Sequence, residues 1–361
     1  MNRTELKLTL RLIPFLDSVE DVEDGLVRVR DRRWLAWHPD VVTALFRTDR
    51  ALRHPPSRTL SPLLGTRSVL WLDGREHAAY RRTLAPLLRP ARHRAVVEEI
   101  VERAVGDLPE TPVSLSSWTR GLTLRIIGRV VFGVDDDVLL TAFSRWLDRR
   151  LGSRVRTLAH RCLTPGATRS DPRLDALLLH RARTAEPPAL AAFLPADDLR
   201  DQVVSLLFAG HETTASATAW TLHWTSRTPG LAERPDLLDA VIAESLRLSP
   251  PATLAGNRMS AAGMVITPSI YLAHRRAATY ENPHVFDPGR PPPPPGAFLP
   301  FGGGVRLCPG RDLALLEIRL IVATLLRHRR VEVTSPIGPP RSRGAAMVPP
   351  PSLTVVATCR R

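Results

Sequence analysis

The segment FGGGVRLCPGRDLA, Phe301 to Ala314, places a cysteine after a glycine-rich turn and directly before a predicted helix. A cysteine at a helix N-terminus lies near backbone N–H groups and the positive end of the helix dipole, which favours the thiolate over the thiol. Pro309 suits the first helical position, and the glycines let the backbone approach a flat, bulky group. Because thiolates bind iron, the sequence predicts Cys308 as a metal ligand, with Arg306 adding a fixed positive charge.

Two other kinds of loop do not fit these residues. A phosphate-binding loop would need a Gly-Lys-Ser/Thr ending, and a dinucleotide-binding loop would need a glycine where Leu307 stands. The remaining cysteines, Cys162 and Cys359, are too far apart in the chain to suggest a disulfide framework, which favours a reducing compartment.

A second candidate is Ala209-Gly-His-Glu-Thr-Thr214, in the middle of a long predicted helix. The hydroxyl of Thr213 can donate a hydrogen bond, and the carboxyl of Glu212 can relay protons from solvent. The alternative is a polar patch in which threonine hydroxyls bond back to helix carbonyls. A zinc-protease motif is excluded, because its second histidine would stand at Ala215.

Two charged pairs have helical spacing. Glu244 and Arg247 are three residues apart, and His77 and Arg81 are four apart, so each pair shares a helix face. Taken alone, the first pair is typical of an exposed salt bridge worth under about 1 kcal/mol, and the second of a solvent-facing surface.

Together these segments resemble the cytochrome P450 family. FGGGVRLCPG fills every position of that family's haem-binding loop, Glu244-Ser-Leu-Arg247 matches its Glu-x-x-Arg helix, and Phe286 to Arg290 resembles its meander motif. The resemblance implies that Glu244, Arg247 and Arg290 form a buried structural triad beneath the haem. It implies the following site: Cys308 as axial ligand of the haem iron; His77, Arg81, Arg258 and Arg306 as partners of the haem propionates; Gly210 as the position that leaves room for dioxygen; and Thr213 with Glu212 as the catalytic pair that delivers protons.

The implied activity is that of a haem-thiolate monooxygenase with haem b. A thiolate ligand favours O–O cleavage, so one oxygen atom would hydroxylate or epoxidise a small, partly apolar organic substrate, in bacterial secondary metabolism. Within the same chemistry, the alternative is oxidation without oxygen insertion, such as desaturation or aryl or C–C coupling. From other classes, an inactive haem-binding protein, a nucleic-acid-binding protein and a peroxide-driven relative are disfavoured by the intact Glu212-Thr213 pair.

Electrons would come from a separate ferredoxin with an NAD(P)H-dependent ferredoxin reductase, because no segment resembles a flavin or iron–sulfur module. The chain carries 50 Lys and Arg against 36 Asp and Glu, a net charge of +14 that is nearly all arginine. Since ferredoxins are commonly acidic, Arg306 and Arg311 near the cysteine suit docking of such a partner. No nucleic-acid motif is seen, and a monomer is expected.

The predicted elements place these residues. From Gly25 to Phe46 the pattern predicts strand, strand and helix, and helices follow from 75 to 134. A helix from Asp197, with Asp197 and Asp198 as N-cap and first-turn charges, runs to Thr228, about 30 residues and about 45 Å. Further helices are predicted at 236–248 and from Pro309 to His328, and the run at 291–295 predicts an extended connector. Prolines and glycines predict breaks at Pro86, Pro90, Pro109, Pro112, Pro165, Gly166, Pro172, Pro187 and Pro188.

The 361 residues, 43% hydrophobic and 24% charged, indicate a globular protein with a large core. The expected fold is mainly α with a small β lobe, the cytochrome P450 fold, as one domain over 1–361. Its parts are a β-rich segment at about 25–75, a helical segment at 75–250, and the meander, haem-binding loop and last strands at 251–361.

Two further expectations concern the surroundings. The stretch from Leu6 to Leu16 contains Lys7 and Arg11 and lacks the features of a membrane span or signal peptide, which predicts a cytoplasmic protein without a membrane anchor. The roof region at 135–197 is shorter than the family usually has, which predicts a more open pocket. Leu206, Ala209 and Leu254 are the candidate pocket-facing residues.

Overall fold

The computed structural model describes residues 3–57, 59–153, 155, 158–159, 170–228, 230–231, 234–335, 338–343 and 346–360. The predictions for Cys162, Pro165 and Gly166 lie outside the described residues.

Helices make up most of the described chain, as the sequence predicts. Several begin at the residues expected to punctuate them: Pro90 and Pro172 each occupy a first helical position, where a missing N–H costs nothing. The α-helices with both ends in the described ranges are α1 (Arg3–Leu10), α2 (Leu12–Asp17), α3 (Pro39–Arg47), α4 (Ser61–Leu64), α5 (Gly74–Leu87), α6 (Pro90–Gly106), α7 (Leu115–Phe132), α8 (Asp137–Leu151), α9 (Pro172–Arg183), α10 (Leu199–Thr225), α11 (Leu238–Leu248), α12 (Ile270–Ala273) and α13 (Arg311–His328).

The strands form three small sheets. The first has the order β1-β2-β5-β4, with β1 and β2 as the two predicted N-terminal strands, which pair antiparallel, and β5 parallel to β2. The second has the order β3-β9-β6, and the third pairs β7 with β8. The strands are β1 (Leu26–Arg30), β2 (Arg33–Ala36), β3 (Val113–Ser114), β4 (Arg258–Met259), β5 (Val265–Pro268), β6 (Arg329–Val333), β7 (Arg341–Arg343), β8 (Ala346–Val348) and β9 (Thr354–Cys359).

Helix α10 is the central element of the helical part. Its 27 residues span about 40 Å and are buried on nearly every side, with α7 along one flank and α13 and α11 along others. It begins at Leu199 rather than at Asp197. The Asp198 carboxylate does not cap it, because it accepts hydrogen bonds from Arg67 Nε at 2.9 Å and from the Tyr80 hydroxyl at 2.7 Å instead.

Two other boundaries differ from the sequence prediction. Pro86 lies inside α5, one residue before its end, so it marks the last turn and not the break itself. Helix α13 begins at Arg311 with Gly310 as N-cap, two residues later than Pro309. The run at 291–294 is irregular, largely exposed backbone, as expected of a connector.

Glu244, Arg247 and Arg290 meet in a buried group, as the resemblance implies. The two Glu244 carboxylate oxygens accept from Arg247 Nε and Nη2, both at 2.7 Å, and Arg290 Nε approaches Oε1 at 3.4 Å. Arg247 also donates to the carbonyls of His274 and Pro283 at 2.8 and 2.7 Å. The triad therefore fastens the irregular segment after α12 to helix α11.

Glu244→Ala tests this structural role. Removing the carboxylate leaves the buried Arg247 and the partly buried Arg290 without a counter-charge. Breaking a buried pair in this way typically costs about 3 to 5 kcal/mol, so we expect a large drop in the free energy of unfolding measured by denaturant titration. Glu98→Ala is the matched control, because Glu98 forms an exposed ion pair with Arg94 worth at most about 1 kcal/mol. Equal effects of the two substitutions would contradict the assigned role.

Candidate functional site

A cavity of about 320 Å³ lies between helix α10 and the segment 301–310, which we call the Cys308 loop. Most of its lining is apolar. Leu206 and Ala209 of α10 and Leu254 line it, which confirms the sequence prediction for these three residues.

The roof region contributes little to this cavity. Among the described residues of 135–197, none lines it, although α8 and α9 both lie in that part of the chain. The segment between α4 and α5 lines it instead, through Val69 and Leu70. The segment after α11, with Leu254 and Ala255, contributes further lining, so the described lining of the cavity comes from segments outside the roof.

The Cys308 loop is held by backbone geometry that glycine permits. The N–H of Cys308 donates to the carbonyl of Phe301 at 3.0 Å, which closes the loop. Gly304 has φ +65°, and a Cβ there would collide with the Asp49 carboxylate. The same Asp49 carboxylate accepts from the N–H of Val305 at 3.0 Å, so the loop is tied to the segment after α3.

Cys308 lies at the wall of the cavity. Burial raises the pKa of its thiol, while the N–H of Gly310 and the charges of Arg81 and Arg311 lower it by less. The predicted effect of the helix N-terminus is present in the bond from the Gly310 N–H, but desolvation is the larger effect on the pKa of the free thiol. A coordinated metal cation would supply the charge that the thiolate needs.

Arg306 and Arg258 both reach the cavity. Arg306 Nη1 donates to the Val69 carbonyl at 3.1 Å, and its Nη2 donates to Asp73 at 2.7 Å. Its Nε is buried and has no acceptor among the described residues. Arg258 is fully buried and pairs with Asp49, with its Nε 3.2 Å from Oδ1. Each arginine is thus held by one aspartate.

His77 and Arg81 lie one turn apart on α5, but neither is among the described side chains that line the cavity. Burial, with the nearby charges of Arg306, Arg81 and His54, lowers the pKa of His77 to about 4. His77 is therefore neutral at pH 7 and can donate one N–H. Arg81 lies close enough to Cys308 for the charge of each to shift the pKa of the other.

Thr213 faces the cavity, and its hydroxyl donates to the Ala209 carbonyl at 2.6 Å. This is the back-bonded arrangement given above as the alternative. Gly210 also lines the cavity, but a Cβ there would lie 2.6 Å from the side chain of Ile127. The glycine therefore serves the close approach of α7 and α10, and its role in leaving room for dioxygen stays a prediction.

Glu212 does not line the cavity among the described residues. It is 2% exposed and pairs with Arg120 Nε at 3.2 Å and with Arg343 Nε at 2.9 Å. Burial alone would raise its pKa, but His211 and the two arginines lower the pKa of Glu212 to about 2. At neutral pH it is an ionised carboxylate fixed by two cations, and in this arrangement it has no proton to give.

Several residues of the site are not predicted from the sequence. Asp49, His54 and Asp73 connect the two cavity arginines, but no motif signals them. Glu317 lines the cavity from α13, and complete burial raises its pKa well above the usual value. A signal was available for Glu317, because it is a lone acid within the apolar run LALLEIRLIV.

The residues present fit an iron porphyrin. The thiol at the cavity wall can supply an axial ligand, and the apolar lining suits the faces of a large flat ring. The buried Arg306 Nε that lacks an acceptor suits a carboxylate at the ring edge. These three features match the three chemical parts of a haem: metal, ring and propionates.

Glu212→Gln tests the buried ion-pair group. A carboxyl whose pKa falls from 4.5 to about 2 on folding contributes about 3 kcal/mol above pH 4.5, and this contribution is lost as the pH falls towards 2. We therefore expect the variant to unfold at a lower temperature than the parent at pH 7, with the difference shrinking as the pH drops through that window. Asp239→Asn, at an exposed pair with Arg319, is the control and should show little difference at either pH. A gap independent of pH would contradict the assignment.

Comparison with known proteins matches the chain to one family. The family model described as cytochrome P450 matches residues 160–235 and 232–356. A putative cytochrome P450 135B1 of Mycobacterium bovis is 30% identical over 353 residues, covering 80% of this chain and 74% of the relative. A putative cytochrome P450 138 of the same organism is 30% identical over 350 residues, covering 80% and 78%.

Solved structures show the same fold. The retinoic acid-bound cyanobacterial CYP120A1 superposes with a TM-score of 0.83 at 21% identity and covers 99% of this chain and 96% of its own. CYP175A1 of Thermus thermophilus gives 0.79 at 25% identity, covering 99% and 97%. In the described part of the chain, no helix is both long and apolar enough to span a membrane. On its sequence match, its fold and its site, the chain belongs to the cytochrome P450 family and is a haem b-dependent monooxygenase.

Proposed function

We propose that this monooxygenase hydroxylates or epoxidises a small, largely apolar organic molecule in bacterial secondary metabolism, with electrons from a ferredoxin and an NAD(P)H-dependent ferredoxin reductase. The observation that carries the proposal is the apolar cavity that extends from Thr213 on α10 to Cys308. Away from Arg258 and Arg306, which the propionates would engage, the mostly apolar lining suits an uncharged substrate, because a charged group there would lose its hydration.

Cys308 is the axial ligand in this proposal. Haem b with a thiolate ligand supplies reductive activation of dioxygen and O–O cleavage. Arg306 and Arg258, with His77 and Arg81 from α5, hold the propionates at the ring edge. His77 acts there as a neutral donor, in line with its lowered pKa.

Thr213 holds and moves the proton. Rotation about its Cα–Cβ bond would take the hydroxyl from the Ala209 carbonyl, 2.6 Å away, towards the cavity that it lines. A hydroxyl that both accepts and donates can pass a proton to the reacting oxygen without changing its own charge.

Glu212 connects this turn of α10 to solvent. Arg120 and Arg343, which hold Glu212, also pair with Asp148, whose side chain is about half exposed. Because its pKa is about 2, Glu212 can carry a proton only after its carboxylate leaves the two arginines. In our proposal the proton path therefore opens by breaking these ion pairs.

The structure changes the expectation for partner docking. Arg306 is largely buried and faces the cavity, so it is not available to an acidic ferredoxin. Arg311 is exposed but pairs with Asp312 at 2.7 Å. Support for an acidic electron donor thus rests on the net charge of +14.

A ligand screen followed by product analysis tests the proposed activity. Apolar compounds that displace water from the cavity should shift the Soret band of the ferric protein, and turnover of these compounds with a ferredoxin system should add one oxygen atom. Desaturated or coupled products, formed without oxygen incorporation, would instead support the alternative chemistry.

Cys308→His tests the iron ligand. The Soret band of the ferrous carbonyl complex should move to the position of an imidazole-ligated haem, because the ligand atom changes from sulfur to nitrogen. Cys162→Ser and Cys359→Ser should leave the spectrum as it was. An unchanged band in Cys308→His would remove Cys308 as the ligand.

Thr213→Ala tests the proton path. Haem content, the substrate-induced Soret shift and NAD(P)H consumption should stay within a few-fold, because none of them needs the hydroxyl. Product per NAD(P)H should fall severalfold while hydrogen peroxide rises, because misdirected protons release peroxide before the O–O bond breaks. Thr214→Ala should alter coupling much less. Full coupling in Thr213→Ala would show that the proton travels by another route.

A further inference from the structure

A chain of five charged or ionisable groups lies beside the cavity, in the order Arg258, Asp49, His54, Asp73, Arg306; Arg258, Asp49 and His54 are buried and Asp73 is partly exposed. Its centre is His54, which is 6% exposed. The ring Nε2 lies 2.8 Å from Asp49 Oδ1, and Nδ1 lies 2.6 Å from Asp73 Oδ1. The outer links join Asp49 to Arg258 at 3.2 Å and Asp73 to Arg306 at 2.7 Å.

The number of N–H groups that the two carboxylate contacts require determines the protonation state of the His54 ring. A neutral imidazole has one N–H and one bare nitrogen, so it can donate to only one of two carboxylates. The other contact would then place two lone pairs face to face at hydrogen-bond distance. Both contacts are favourable only when both ring nitrogens carry hydrogen, that is, when His54 is an imidazolium.

The two carboxylates are held as anions by further donors. Asp49 also accepts from the N–H of Val305, and Asp73 accepts from the N–H of His54. Burial alone would raise their pKa values, but the bonds from His54 and the nearby arginines lower the pKa of both carboxyls. Neither aspartate therefore carries the extra proton.

The charges of this group determine the potential at the ring edge. The two arginines and the two aspartates cancel, so the net charge depends on His54. Two further ionisable groups lie nearby on α5: His77 is neutral at pH 7 because burial lowers its pKa to about 4, and Arg81 adds one positive charge. A haem brings two anionic propionates to this place, and with a neutral His54 the net positive charge opposite them would be that of Arg81 alone.

We propose that His54 is an imidazolium that, through Asp49 and Asp73, positions Arg258 and Arg306 for the haem propionates and gives this end of the cavity its positive charge. His54 is a positioning residue, since it reaches the cofactor only through the aspartates and arginines. The proposal rests on the propionate role of the two arginines given above.

Nitrogen NMR of the ferrous carbonyl holoprotein, labelled with ¹⁵N-histidine, tests the charge directly. At pH 7 both His54 ring nitrogens should show the signals of protonated nitrogen. His54→Gln assigns the resonance by its loss, and Asp73→Asn assigns it by a shift of Nδ1 if the first variant does not fold. One protonated and one bare nitrogen would overturn the proposal.

Haem transfer to excess apomyoglobin and the ferric/ferrous midpoint potential test the positioning role. His54→Gln should lose haem at least tenfold faster and should have a lower potential, because a positive charge near the iron favours the reduced state. His54→Lys, which keeps the charge and can donate to both aspartates, should recover both values towards the parent.

His93→Gln is the matched control. His93 is equally buried at 6%, but its ring bonds to the Leu87 carbonyl away from the chain of charges. The His93→Gln protein should keep the parent midpoint potential and rate of haem loss. If the His54→Gln protein also kept both values, the proposal would be overturned.

Arg306→Gln tests the propionate role separately. If this variant lost haem at the parent rate, Arg306 would not hold a propionate, and the positioning of Arg306 by His54 would fall with that role, whatever the NMR shows.

Discussion

The close contact between α7 and α10 is the constraint on which the rest of the site depends. At Gly210 the two helices approach until Ile127 occupies the place of a side chain. This contact determines the distance between α10 and the Cys308 loop, and therefore the size of the cavity that would hold the haem and the substrate. A larger residue at Gly210 would push α7 away or close the cavity, so the same glycine determines helix packing and cavity shape.

Buried carboxylates join the chain segments that surround the cavity. The Glu244 group holds the meander, the Asp49 carboxylate holds the Cys308 loop, and Glu212 joins α10 to α7 and to β7. Each group is an ion pair shielded from water, where removing one partner costs far more than forming the pair gains. The arginine-rich composition thus reflects internal fastening as well as surface charge.

The sequence predicts those parts of the protein whose residues act through local geometry. The Cys308 loop follows from glycine, proline and cysteine at fixed spacing, and α10, α11 and α13 follow from apolar runs ended by proline or capping residues. Partners distant in sequence could not be predicted. The bonds from Arg120 and Arg343 to Glu212 join residues 92 and 131 positions apart. Without them Glu212 would be taken for a free proton carrier, whereas the structure shows a fixed anion.

The burial of Cys308 could not be predicted for the same reason. Helix position predicts a low thiol pKa, but the depth of burial, which no local pattern encodes, outweighs it. His54 was not predicted for a related reason, because its two carboxylate partners come from two different segments of the chain. Local sequence patterns therefore predict where a functional side chain lies, whereas its charge depends on tertiary contacts.

The bond from Arg343 to Glu212 also has a consequence for biosynthesis. Helix α10 leaves the ribosome well before the hairpin of β7 and β8, which supplies Arg343 and also accepts hydrogen bonds at the Met347 carbonyl from Ser216 and Trp220 of α10. Until Arg343 and Met347 are translated, Glu212 has only one of its two arginines, and this face of α10 lacks its cover. Helix α10 therefore completes its contacts only after more than a hundred further residues have been made, and a ribosome that stalls before Arg343 leaves this face of α10 open to chaperones and proteases.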